Sequence, residues 1–144
     1  MARFAGGFKT AGAGSATLPI ASLFATAAVR PVVREIGVFN TTTTAVDIAV
    51  RRVTAIGTAG AAREELAEED PSQTAVATLF DTHTVAPTFV TGNLRVATLG
   101  AAIGSGMVWT FGGRGVEIPN TTGDGVVIVP LGTGQICTVY FSWD

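Results

Sequence analysis

The sequence predicts an all-β protein: an antiparallel β-sandwich of jelly-roll type, preceded by a flexible N-terminal arm. Three observations carry that prediction. Val/Ile/Phe-rich runs of strand length recur along the chain. Gly, Pro, Asn and Thr clusters separate them at spacings of roughly 8–12 residues, and two of the runs alternate apolar and polar side chains with period two. The chain has 144 residues, the length of one domain, and can bury roughly two-thirds of its extended surface. About eight or nine such strands fit a jelly roll best. An immunoglobulin-like sandwich is the alternative, but the single cysteine cannot supply that family's disulfide.

Residues 1–17, "MARFAGGFKTAGAGSAT", are small, rich in Gly and Ala and free of acids, with Phe4 and Phe8 as the large groups. They read as a flexible arm outside a single β-sandwich domain spanning residues 18–144. Three segments of strand length follow: "LPIASLFATA" (18–27), "VVREIGVFN" (32–40) and "AVDIAVRRVTAI" (45–56). Pro31, "NTTTT" (40–44) and Gly57 bound them. In "TAGAAREELAEEDPSQT" (58–74) Ala, Glu and Leu favour helix and Asp70-Pro71 stops it, so an acidic loop with at most two helical turns is expected.

Strand-like runs then return as "AVATLFDTHT" (75–84), "LRVATLGAAI" (94–103), "GMVWTFGG" (106–113), "GVEIP" (115–119), "GVVIVP" (125–130) and "QICTVYFSW" (135–143). Met107, Trp109 and Phe111 fall on one face, as do Cys137, Val139, Phe141 and Trp143, which is the pattern of a sheet packed on a second sheet. The glycines of "GGRG" (112–115) and "NTTGDG" (120–125) supply corners rather than a phosphate loop. None of the chain's G-x-G pairs continues into G-x-x-G or Gly-Lys, and most precede a strand-like run, not a helix.

Composition excludes several functions. Charged residues make up 14% of the chain where about 25% is usual, and mean hydropathy is positive. Such a bland surface fits a protein packed against copies of itself or a partner. The net charge is −2 and no basic cluster exceeds Arg51-Arg52, so nucleic acid is not an expected partner. One Cys and one His do not make a protein-only zinc site, so neither a metal nor a cofactor is expected. Glycines interrupt the apolar N-terminal residues, no signal-peptide core forms, and no apolar run is long enough for a membrane helix. Synthesis in the cytoplasm is therefore expected.

Three residue groups are candidate sites. Asp81 stands two residues from His83, so a carboxylate-oriented imidazole is conceivable, but no serine has a nucleophile-elbow context. Cys137 alternates with Val139 and Phe141 and has no Lys or Arg within twenty residues, which describes a core thiol. Trp109, Tyr140 and Trp143 could form a sugar-stacking platform, yet both tryptophans lie on the regular apolar faces. No catalytic residue is assigned.

The segments "VREIGVFNTTTTAVDIAVRRVT" (33–54), "LFDTHTVAPT" (79–88), "LGAAIGSGMVWTFGGRGVEIPNTTGDGVVIVP" (99–130) and "GQICTVYFSWD" (134–144) resemble small virion structural proteins of tailed actinobacterial bacteriophages. The most distinctive part is W-T-F-G-x-[RK]-G-[LIV]-x-I-P, followed by G-x-G-[IV]-x-[IV] and a closing V-Y-F-x-W-[DE]. The resemblance implies a non-enzymatic particle component. The resemblance itself names no station in the particle; the first expected one is the capsid surface, as a decoration or cement protein that binds the major capsid protein and assembles with itself, as a trimer. The alternative is a minor tail or baseplate protein, or a module gripping host glycans. On the decoration reading the arm lies on the shell, with Arg3, Phe4, Phe8 and Lys9 as the expected contacts.

Overall fold

The computed structural model describes residues 2–26 and 29–144; Met1 of the expected arm and Ala27, at the end of the first expected strand, lie outside the described residues. Thirteen strands follow one another: β1 Phe4–Lys9, β2 Ala21–Ala25, β3 Val32–Asn40, β4 Val46–Ala55, β5 Ala62–Arg63, β6 Leu66–Ala67, β7 Ala77–Phe80, β8 Thr88–Phe89, β9 Arg95–Leu99, β10 Gly106–Thr110, β11 Val116–Glu117, β12 Gly125–Pro130 and β13 Cys137–Trp143. No helix occurs among the described residues. Each of the nine segments expected from β-branched and aromatic composition contains a strand.

The pairing is antiparallel and nested: β1 with β13, β2 with β12, β3 with β10, and β4 with β9. Rolling that ribbon up sets β13 against β3 and β12 against β4. Two sheets result, one ordered β10-β3-β13-β1-β6 with β11 also on β3, the other β5-β7-β2-β12-β4-β8 with β9 also on β4. This is a jelly-roll sandwich.

Alternation selects the core. Ile36, Val38, Val139, Phe141 and Trp143 from the first sheet meet Leu23, Ile48, Val50, Leu79, Val126 and Ile128 from the second, all with no exposure. Each such side chain contributes about 1.5–3 kcal/mol of transfer free energy. Trp109 and Phe111 join them, while Met107, on the edge strand β10, stays 40% exposed. The "NTTTT" turn is built on Asn40. Its Oδ1 accepts from the Thr42 N–H (3.0 Å) and its Nδ2 donates to the carbonyls of Thr44 (2.7 Å) and Gly100 (3.0 Å). Gly115 (φ 65°) and Gly123 (φ 95°) provide the left-handed corners expected of "GGRG" and "NTTGDG".

Two expectations are corrected. The N-terminal segment is not a free arm: β1 pairs with β13 from Phe4↔Trp143 to Lys9↔Thr138, and Phe4 is 5% exposed in the core. Its alternation (Phe4, Gly6 and Phe8 inward) is hidden by glycine, which carries no hydropathy signal but lets β1 lie close to its neighbours. A Cβ on Gly6 would strike Leu79 and the Glu64 carbonyl. The acidic stretch is likewise not helical. Its Ala62–Arg63 pairs with β7 and its Leu66–Ala67 with β1, so it crosses from one sheet to the other and closes one edge of the sandwich. Strand pairing offered by two open edges outweighs the modest helix preference of Ala and Glu.

The outer faces of the two sheets differ. On the β2-β12-β4 side Phe24, Ala49, Val53, Val127 and Val129 are at most 3% exposed, because Ile56, Phe80 and Phe89 fold over them and Thr58 bridges to Val85. That cover explains why β12 is buried along its whole length. The outer face of the β3-β13-β1 sheet is open to solvent.

Candidate functional site

The four residues expected to contact a shell separate in the structure. Arg3 is exposed and donates from Nε to Asp144 Oδ1 (3.1 Å); Arg34 donates to the other carboxylate oxygen (2.6 Å). Burial opposes ionisation of Asp144, but the bonds and charges of Arg34 and Arg3 outweigh it and hold the carboxyl below its usual range. Phe4 stacks on Trp143 with centroids 6.2 Å apart and points into the core. This corrects its assignment as a contact residue, since a side chain 5% exposed has no surface to offer. Phe8 is half-buried beneath the Arg63 guanidinium, 4.9 Å from its ring, and Lys9 is exposed.

Asp81 and His83 are both buried but do not form a couple. The Asp81 carboxylate accepts from the N–H groups of Ala11 (3.0 Å) and Thr82 (2.7 Å), the Thr82 hydroxyl (3.1 Å) and the Arg63 guanidinium. Burial raises its pKa, yet those bonds prevail and leave it below the ordinary carboxylate range. His83 Nε2 instead meets Ser22 Oγ at 2.7 Å. Ser22 has no exposure and His83 1%, so no substrate reaches the pair, and it serves to fasten the covering segment to β2.

Burial also holds the His83 pKa below its usual value, against smaller opposing effects of the Ile56 and Val85 backbone. The native imidazole is neutral, whereas the unfolded chain takes up a proton below about pH 6.5. Stability from this residue is thus complete above that pH and is lost as pH falls towards the native pKa. The urea midpoint is expected to drop between pH 7.5 and 5.5 in the native protein, and to stay nearly flat over that range in His83→Gln.

Cys137 has no exposure, and burial pushes its thiol up to about 11. Its sulfur faces the Gln135 carbonyl (3.4 Å). A thiol-specific reagent at pH 8 is expected to label it only at the rate of unfolding. Trp143 has no exposure and Trp109 8%, so neither offers a face to a sugar ring. Among the described residues no group of three or more His, Cys, Asp or Glu side chains could hold a metal ion.

The remaining candidate is the open outer face of the six-stranded sheet. Register sets its side chains in rows across the strands: Gly106, Phe39, Thr138, Lys9; then Val108, Gly37, Tyr140, Gly7; then Thr110, Glu35, Ser142, Ala5, Leu66. The side chains are small or apolar, and the two charges are Lys9 and Glu35. Glu35 accepts the Tyr140 hydroxyl at 2.6 Å, and burial together with that carboxylate pushes Tyr140 up to about 12. Two shallow grooves of about 500 and 560 Å³ adjoin across Ala5, Glu68 and Tyr140. Nothing local in the sequence singles out Glu35 or Leu66, and of the three candidate sugar-stacking aromatics only Tyr140 lies on this outer face. The polar parity of "TVYFS" in β13 was the available signal.

No protein-family model matches the chain, and no curated protein does. Among solved structures, the chain is similar to the globular domain of zebrafish complement 1qA protein, with 9% identity, 99% of this chain and 95% of that one covered, and a TM-score of 0.27. A likeness at that level carries no argument about function.

Proposed function

We propose that the protein is a non-enzymatic structural component of a bacteriophage virion, a capsid decoration protein that binds the outside of the major capsid lattice and stabilises it, assembling with copies of itself as a trimer. The observation that carries this reading is the open outer face of β10, β3 and β13, where Glu35 is the one charge that these strands place in the rows that start at Gly106, Val108 and Thr110, in a molecule whose conceivable catalytic groups are buried or already bonded. The resemblance of residues 33–54, 79–88, 99–130 and 134–144 to phage virion proteins supplies the particle. Charge depletion with part-exposed aromatics, Phe39 and Tyr140, and an exposed aliphatic, Val108, is the composition of a protein interface. Of the four contacts expected from the sequence, Arg3 and Lys9 are exposed beside that face and Phe8 is half accessible.

Co-sedimentation with undecorated capsids tests the reading. The full chain is expected to pellet with the shells, and Val108→Asp with Thr138→Asp, two exposed positions on the face, to abolish pelleting while the thermal midpoint stays put. A full chain that ignores capsids, or a double variant that still binds them, would reject it. The glycan-binding alternative finds no support in the buried tryptophans.

A further inference from the structure

After internal pairing, most of the leftover charge among the described residues lies at opposite edges of the sandwich, with Lys9, Glu35, Arg114 and Asp124 outside those two groups. The ion pairs among the described residues join Arg3 and Arg34 to Asp144, Arg30 to Glu117 and Arg63 to Asp81. Glu64, Glu65, Glu68, Glu69 and Asp70 take part in none of them, and all lie on the strap that closes the β5/β6 edge. Arg51, Arg52 and Arg95 take part in none either. They sit on β4 and β9 at the other edge, where their guanidinium groups donate to carbonyls, Val90 and Gly92 for Arg51, Glu117 for Arg52 and Leu94 for Arg95, and those of Arg51 and Arg95 also lie over the Phe89 and Phe111 rings. The acid nearest them in register, Asp47, accepts the Thr98 hydroxyl (2.6 Å).

Each charged edge also carries unburied apolar surface. At the acidic edge a groove of about 560 Å³ runs over Ala5, Gly6 and Gly7 between Tyr140 and Leu66, rimmed by Glu64 and Glu68. Leu66 is 70% exposed. At the basic edge Val96 is 53% exposed and Val90 40%. Val96 stands opposite Ala49 and so diagonal to Arg51, whose guanidinium lies 4.4 Å over Phe89 and bonds the Val90 carbonyl. The result is an apolar groove with an acidic rim and, across the molecule, an apolar ridge flanked by arginines.

We infer that the acidic β5/β6 groove of one copy receives the basic β8/β9 edge of the next, a head-to-tail contact of this chain with itself. Because the two surfaces differ, the contact is heterologous, and repeating it closes a ring when the rotation permits. Opposite charges on the rims set orientation and register, and the groove and ridge supply the apolar burial between them. The inference deepens the self-association proposed above by naming its surfaces, and it does not require a capsid.

The test uses the purified full chain without capsids, so its failure leaves shell binding untouched. Sedimentation velocity at about 50 µM protein in about 0.15 M salt is expected to show an oligomer that weakens in about 1 M salt. Glu64→Lys with Glu68→Lys, and separately Arg51→Glu with Arg95→Glu, should each weaken association by about 100-fold or more, since each sets like charges face to face. All four substitutions in one chain restore opposite charge across the same contact and should restore assembly. Thermal melts exclude loss of fold as the cause. A monomeric wild-type chain, assembly that survives both reversals, or a fourfold variant that stays monomeric would overturn the inference.

Discussion

Removal of residues 1–9 is expected to abolish cooperative folding, not merely to trim a tail. β1 forms six register pairs with β13 and also carries β6, so its loss exposes the edge of the closing strand and unfastens the acidic strap. Phe4 leaves the core together with its stacking partner's cover: Trp143 has no exposure in the intact chain. Phe4→Ala alone should cost about 3–5 kcal/mol, a large share of the roughly 5–15 kcal/mol by which domains of this size are stable. The truncated chain should therefore show broad, non-cooperative thermal unfolding and bind a hydrophobic dye. A truncated chain that melts sharply at the full-length midpoint would show that β1 is dispensable. Phe4→Leu, which keeps most of the apolar volume, should recover more than half of the loss.

Asp81→Ala is expected to be the most damaging single polar substitution. The carboxylate ends β7, receives two backbone N–H groups and the Arg63 guanidinium, and so ties the turn after β1 to the strap. Its side chain is 3% exposed. Truncation leaves two backbone N–H donors unsatisfied at about 1–3 kcal/mol each, while the partly exposed arginine regains water and adds little, so the loss is about 2–6 kcal/mol. At about 2–4 °C per kcal/mol, the melting midpoint should fall by roughly 4–24 °C. Arg63→Met should cost less, because the Arg63 side chain is 37% exposed and its absence leaves a carboxylate still holding three other donors. The acid response follows from the sign of the shift. A carboxyl held below its unfolded pKa contributes its full stability above about pH 4 and loses it as pH falls through the native value. Asp144 acts in the same direction, so denaturation midpoints should decline below about pH 4, and less steeply in Asp81→Asn.

The acidic strap and the arginine-bearing edge also bear on the aggregation hazard that open sheet edges carry. Jelly-roll sheets have edges, and an uncovered edge invites pairing with another chain. Here the strap occupies the β1 and β7 edges and lines them with carboxylates, while the edge formed by β8, β9 and β10 carries arginines and a short, irregular register.

What the sequence determined by itself is the set of central strands and the identity of the core. Val, Ile and aromatic side chains at period two report which face is buried, and Cys137, Val139, Phe141 and Trp143 are all fully buried as that pattern demands. The same rule placed Trp109 and Phe111 inside. Tertiary structure decided the rest where side chains carry little signal or where propensity and environment disagree. β1 is half glycine and alanine, so nothing local distinguishes it from a tail, and only the free edge of β13 makes it a strand. Ala, Glu and Leu in the strap favour a helix until two sheet edges offer hydrogen bonds that an isolated helical turn cannot match. Likewise, which outer face stays open depends on where residues 83–89 fold back, a contact made between positions far apart in sequence. Local composition sets what a segment can become, and the unmet hydrogen bonds and uncovered faces of its neighbours in space choose among those states.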